Sequence, residues 1–334
     1  MRRLIWLVIF CAVLWGAWWF FAATTVQMGI LKWFEHQRSL GWQAEVARVD
    51  KSGFPLNLNL RLAEPALADP RSGIAFSTRV LDVNAPVWWP GYASILFPQD
   101  EMILASPLER KTITATQARA DLRLHPGFAL ELEELALTSE GWLVSSPEGS
   151  LMGAQGLSLK MTQSETSKGT YAFTLTAPGF RLGDVVRRNL RIPDDWPIFF
   201  DNLQIDMTVL FDRPFDRSTV ETARPQPRHI DLNLAEITWG GLLLRGAADL
   251  AVASGGILSG DVTLQARNWR EMIALAETTG VLPPSIRAQA ENILAALAQG
   301  SGNPDTLDVT LSLRDGSVFL GFFPLGSAPR LVLR

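Results

Sequence analysis

The chain has 334 residues, enough to bury a sizeable core in one or two domains, and 47% of its side chains are hydrophobic. Its formal net charge of −4 speaks against a nucleic-acid partner, which calls for a positive surface. A single cysteine, Cys11, excludes a disulfide framework, and three histidines, His36, His125 and His229, are too scattered to offer local metal-ligand spacing.

Residues 4–23 read LIWLVIFCAVLWGAWWFFAA, twenty positions without a charge. As a helix rising ~1.5 Å per residue they cover ~30 Å, the thickness of a bilayer core. Arg2 and Arg3 precede the run, and cationic flanks stay on the cytoplasmic side. The expectation is a single-pass anchor in the inner (plasma) membrane, with the N-terminus cytoplasmic and the bulk of the chain periplasmic. Without Arg2 and Arg3 the exported part holds 28 basic and 34 acidic residues, near −6. The run exceeds the ~7–15 residues of a secretory signal core, and Trp18-Trp19-Phe20-Phe21 crowd its end; Ala22 and Ala23 leave cleavage open. Cys11 lacks small residues before it and reads as a buried apolar side chain rather than a lipidation site.

Residues Gln27 to Leu40 continue as a helix, with Ile30, Leu31 and Phe34 at helical spacing and Gly41 as its stop. This segment is either a stalk at the membrane surface or an amphipathic cover for the domain. The period then becomes two. Leu56, Leu58, Leu60 and Leu62 alternate with Asn57, Asn59 and Arg61, the pattern of a strand with one wet and one buried face. The same alternation returns at Leu157–Met161, Tyr171–Leu175, Leu203-Ile205-Met207-Val209, Ile230-Leu232-Leu234, Ala248–Val252, Val262–Leu264 and Leu307–Leu313. Such half-buried strands belong to antiparallel sheets. Asn268 with Glu271 reads as a capping box that starts a helix ended by Gly280, and Pro283-Pro284 introduces a second helix to about Gln299. Ile286, Ala290, Ile293, Leu294 and Leu297 give that second helix one apolar stripe.

The fold class read from these elements is mainly β (α+β): a transmembrane helix, then a curled antiparallel sheet with a C-terminal helical hairpin packed on it. The organisation expected is an anchor and stalk over 1–40, a β-rich half over 41–212, a proline-containing loop or soft boundary over 213–229, and a second β-rich half over 230–334 with helices at about 268–299. A long hairpin loop at 213–229, inside one continuous sheet, is the alternative.

Several short motifs, in order, carry a resemblance. The anchor is followed by Gly41-Trp42-Gln43-Ala44-Glu45 and by Ser52-Gly53-Phe54-Pro55 leading into the alternating strand; the tail holds Asp315-Gly316-Ser317-Val318-Phe319-Leu320-Gly321 and Phe323-Pro324-Leu325-Gly326. Together they resemble the bacterial envelope family known as domain of unknown function 2125. The resemblance implies an anchored, strand-rich envelope protein and carries over no catalytic residue. That build is also similar to AsmA-like envelope proteins, whose association with lipid movement enters only as a fold-level analogy.

No catalytic constellation emerges, and no cofactor or metal site is expected. In Gly149-Ser150-Leu151-Met152-Gly153 the serine stands one place too early for a nucleophile elbow, and no phosphate-binding loop is present. Glu133-Glu134 and Asp194-Asp195 are adjacent pairs whose members point to opposite faces in a strand. Two clusters are candidates for membrane or lipid contact: the aromatic Trp88, Trp89 and Tyr92, and the basic Arg187, Arg188 and Arg191. Leu56, Leu58, Leu60, Leu62, Leu203, Ile205, Met207 and Val209 are candidates for the lining of an apolar groove. The function expected is a non-enzymatic, inner-membrane-anchored periplasmic protein that binds or relays lipid. The alternative is a structural or assembly-support envelope protein with a self-covered sheet and a protein partner.

Overall fold

In the computed structural model of the chain, the apolar run and the following amphipathic stretch form one helix, α1 (Arg2–Ser39). Nothing between them breaks a helix: Thr24 returns its hydroxyl to the carbonyl of Phe20 at 2.7 Å and keeps the ladder. Gly41, at φ 90°, ends the helix by donating to the carbonyl of Arg38 at 3.0 Å. The structure describes every residue except 71, 222–223, 301–303 and 334. Beyond α1 the alternating segments build two antiparallel sheets, and the chain divides into two compact units. Unit 1 is Met1–Pro126 with Leu137–Pro147; unit 2 is Gly127–Ala136 with Glu148–Arg334.

The first twelve strands are β1 (Gln43–Glu45), β2 (Arg48–Ser52), β3 (Asn57–Ala63), β4 (Ala66–Asp69), β5 (Ile74–Ser77), β6 (Val80–Pro86), β7 (Tyr92–Leu96), β8 (Met102–Ala105), β9 (Arg110–Thr116), β10 (Arg119–Leu124), β11 (Leu132–Ser139) and β12 (Gly141–Ser146). In unit 1, β1-β4-β5-β8-β9-β12 run side by side in one sheet and β2-β3-β6-β7-β10 in the other. The paired strands β3 and β6 set Leu60 opposite Val83 and Leu62 opposite Leu81 on one face. The second half of α1 covers that face. Trp19, Ala22 and Ala23 pack with Leu58 and Val87; Phe34, with Val26, Ile30 and Trp33 beside it, packs with Val49, Leu60 and Leu62. These helix positions recur every three or four residues, so one stripe of α1 faces the sheet. Leu58, Leu60 and Leu62, expected to line a groove, are therefore closed by the chain's own helix, at 1%, 2% and 7% exposure. Within the 27–40 stretch, Phe34 with Ile30 and Trp33 beside it is the part that packs on the sheet.

The remaining elements are β13 (Gly149–Ala154), β14 (Leu157–Gln163), β15 (Thr170–Thr176), β16 (Arg181–Leu182), α2 (Asp184–Asn189), β17 (Asn202–Phe211), α3 (Arg217–Glu221), β18 (Pro227–Trp239), β19 (Leu242–Val252), β20 (Leu258–Arg267), α4 (Trp269–Thr278), α5 (Pro284–Gly300), β21 (Thr306–Arg314), β22 (Ser317–Leu320) and β23 (Phe323–Ser327). In unit 2 the order β14-β15-β17-β18-β19-β20-β21-β22-β23 follows the chain as an antiparallel meander, except that β16 leaves it to pair with β13. The loop at 213–229, part of which lies outside the described residues, joins the antiparallel pair β17 and β18 as a long hairpin connection. A bulge between Asp206 and Met207 shifts the β17–β18 register, so Leu234 lies opposite Asp206 while Leu232 lies opposite Met207.

Asn268 precedes α4 as expected, but it makes no side-chain cap: at φ 57° its amide instead donates to the carbonyl of Gly241 at 2.9 Å. Trp269 and Ile273 of α4 and Ala298 of α5 share a buried cluster with Ala266 and Leu307 of the sheet. The side chains of Ile286 and Ala290, counted in the apolar stripe of α5, lie outside the described set.

Tyr171, fully buried in β15, ties the sheet to the loop after β17. Its ring meets Phe211 and Phe215 edge-on; its hydroxyl donates to the carbonyl of Leu132 at 3.3 Å and accepts from the amide of Phe215 at 3.0 Å. Burial raises the phenol above its ordinary pKa. Tyr171→Phe keeps the ring and strands the Phe215 amide. We expect a loss of ~1–3 kcal/mol in unit 2, the cost of an unmade buried hydrogen bond. Faster hydrogen exchange at the Phe215 amide measures it.

Candidate functional site

Strand register places one set of side chains from each strand of unit 2 on a common face. Leu159 faces Leu175, Leu175 faces Ile205, and Ile205 faces Ala235; Ala235 faces Gly246 and Gly246 faces Leu264. A neighbouring row sets Leu203 opposite Ile237 and Ile237 opposite Leu244. An apolar row thus crosses six strands, with a gap in its side chains at Gly246.

This face is only partly covered. At one margin the buried cluster of Val252, Leu258 and Leu313 takes in Leu331 from the C-terminal segment. At another, Ala266 and Leu307 are closed by residues of α4 and α5. Between them Ile237 and Leu244 remain 37% and 38% exposed, and Leu203, Ile205, Met207, Leu175 and Leu264 are half-buried. Of the four β17 residues expected to line a groove, Val209 alone is closed, at 5% exposure. Ala235 and Gly246 contribute almost no side chain between Ile205 and Leu264, which leaves a shallow strip along the strands. A Cβ on Gly246 would stand 3.3 Å from Leu264 Cδ2, so even this small addition meets the strip's wall. At ~25 cal/mol per Å², each ~100 Å² of such a face hidden from water is worth ~2.5 kcal/mol.

The opposite face is polar. Glu236 accepts from the Arg245 guanidinium and from Asn202 Nδ2, the latter at 2.7 Å, and Asn233 Nδ2 donates to Asp206 at 2.8 Å. The hydrogen bond from Arg245, then that from Asn202, holds the Glu236 carboxyl below its ordinary pKa.

The aromatic candidates separate. Trp88 is 62% exposed. Trp89 turns inward: its indole donates to the carbonyl of Leu124 at 3.2 Å, and its ring lies so close to Gly91 that a Cβ there would stand 2.6 Å away. Tyr92 is 43% exposed, with the Arg123 guanidinium 5.9 Å from its ring centre. The basic candidates separate too. Arg187 donates to the carbonyls of Pro193, Trp196 and Pro197 at 3.1, 3.0 and 3.0 Å, so it fastens the 193–197 loop to α2. Arg188 and Arg191 are exposed. The cleft of about 260 Å³ beside Arg187 also contains Arg181, Asp184 and Asp194, a mixed lining without a net sign. Leu56 lies outside β3 and is 55% exposed.

Leu159, Leu175 and Leu264 were legible as strand residues, but only the register joins them to Leu203 and Ile205 and brings in Ile237 and Leu244. Among the described residues, no group of three or more histidine, cysteine, aspartate and glutamate side chains comes together as a metal site.

A family model described as "Uncharacterized protein conserved in bacteria (DUF2125)" matches residues 19–329. No curated protein and no solved structure matches the chain.

Two measurements follow from this geometry. Arg187→Ala should release the 193–197 loop, read as faster proteolysis or amide exchange there, whereas Arg188→Ala should leave it unchanged. The Glu236 pair is stabilising above the unfolded carboxyl pKa, and its contribution is lost as pH falls through the lower folded value. A urea series from pH 6 to pH 3 should accordingly lose less in Glu236→Gln than in the parent chain.

Proposed function

The chain belongs to this DUF2125 family of uncharacterised bacterial proteins, and we propose that it is a non-enzymatic envelope protein whose unit 2 shelters acyl chains on its apolar face. In this reading the first half of α1 crosses the inner membrane, Arg2 and Arg3 hold the N-terminus in the cytoplasm, and both units stand in the periplasm. The helix is long and apolar enough to cross a membrane. The sheet of unit 2 curls about its lipid, and the chain binds it or passes it on.

The observation that carries the reading is the row through Leu203, Ile237 and Leu244, with Ile205 beside it, whose residues are paired in register yet left partly open to water. Contiguous apolar surface of this kind marks an interaction site. A protein partner is the second reading. It is favoured by α1, which already closes Leu58, Leu60 and Leu62 with a helix and shows how another chain's helix would close unit 2.

Photo-crosslinking separates the two. A benzophenone side chain at Ile205 or Leu244, in the full-length protein in its own membrane, should yield phospholipid adducts. The same group at Thr174 or Asp206, on the polar face, should yield none. Adducts to protein alone at 205 and 244 would replace the lipid reading with the partner reading.

A further inference from the structure

We propose that the loop tips of unit 1 carrying Phe54, Pro55, Leu56 and Trp88 lie inside the bilayer, among the acyl chains of the leaflet facing unit 1, as a collar around α1. This rests on the reading of α1 as a membrane span.

The argument begins with length. From Leu4 to Leu14 every side chain of α1 is exposed, but those eleven residues rise only ~16 Å, about half the ~30 Å of hydrocarbon a span must cross. The rest of the span falls on Trp15 to Ala23, and unit 1 is docked there. Trp15 Nε1 donates to the carbonyl of Pro55 at 2.8 Å, and Trp19 Nε1 to the carbonyl of Asn57 at 2.8 Å. The Phe54 ring stands edge-on to Trp19 at 5.5 Å and meets Gly16, where a Cβ would lie 3.9 Å from it. Val87, beside Trp88, is packed with Trp19, Ala22 and Ala23. Any depth that lets α1 cross also carries these tips into the hydrocarbon.

The tips are chemically suited to that place. Phe54, whose ring also flanks α1, and Leu56 and Trp88 are 60%, 55% and 62% exposed. Irregular backbone is tolerated at bilayer depth only where protein covers it, and α1 packs on one side of these tips through Trp15, Trp19, Ala22 and Ala23. Besides the two carbonyls bonded by indoles, that of Gly53 accepts from Asn57 N at 2.9 Å and that of Leu56 from Val87 N at 3.0 Å. Pro55 has no N–H to satisfy. Polar chemistry resumes where the bilayer would end: Lys51 Nζ donates to Thr24 Oγ1 at 2.7 Å and lies 4.4 Å from the centre of the Phe20 ring, and Gln27 donates to the carbonyl of Val49 at 2.6 Å. From Trp15 to Thr24 the helix rises ~13 Å, close to the depth of one leaflet's hydrocarbon.

The test uses the full chain with Cys11→Ser, reconstituted in vesicles of phosphatidylethanolamine and phosphatidylglycerol, with one nitroxide each at Leu56→Cys and Trp88→Cys. Leu7→Cys serves as the span control and Leu108→Cys, at 96% exposure in unit 1, as the water control. Positions 56 and 88 should collide with oxygen in preference to a water-soluble nickel chelate, as position 7 does and position 108 does not. If 56 and 88 behave like 108 while 7 remains lipid-like, the collar is wrong and the anchor stands. If position 7 also behaves like 108, the span reading fails and takes the collar with it.

Discussion

An apolar strand face cannot be left to water, and the architecture turns on how each unit meets that requirement. In unit 1 the answer is internal. A helix that starts as an apolar run continues as an amphipathic one, and its stripe from Trp19 to Phe34 lies over Leu58, Leu60 and Leu62. In unit 2 the residues of α4 and α5 and of the C-terminal segment close the margins, while Leu203, Ile205, Ile237 and Leu244 stay partly open. The same alternating pattern is thus self-covered in one unit and unfinished in the other, and the proposed function follows from the unfinished one.

The joining of an apolar, membrane-length run and a sheet cover in one helix has a mechanical consequence. Trp15 and Trp19 donate to backbone carbonyls of the β2–β3 turn, Lys51 reaches Thr24, and Gln27 reaches the β2 backbone. A helix fastened at four levels is held rigidly against unit 1 rather than joined to it by a flexible linker. Indoles suit this task because one ring offers both a large apolar body and a single donor.

How much of this was legible in the sequence depends on how local the cause is. The alternation at Leu56–Leu62 and Leu203–Val209 is local, and apart from Leu56, which stands just before β3, the strands are where it places them, because period two has one structural solution. What covers a face is not local. Leu58 and Ile205 look alike in sequence, and only the packing of α1 separates a closed leucine from an open isoleucine. Register is not local either: the bulge near Asp206 decides that Leu232, not Leu234, joins Met207. Asn268 has the residue type of a cap but a left-handed backbone and a distant acceptor, so residue type misled there. Arg187 read as part of a basic patch until its three carbonyl partners were visible, and Trp88 and Trp89, adjacent and chemically identical, take opposite fates that no pattern distinguishes.

The most direct measurement is an experimental structure of the full-length chain in a lipid nanodisc, read for what lies on the sheet of unit 2. The account requires elongated, chain-like density along Leu175, Ile205 and Leu264 and over Ile237 and Leu244. A face filled by ordered water alone, or closed by a segment of protein, would contradict it.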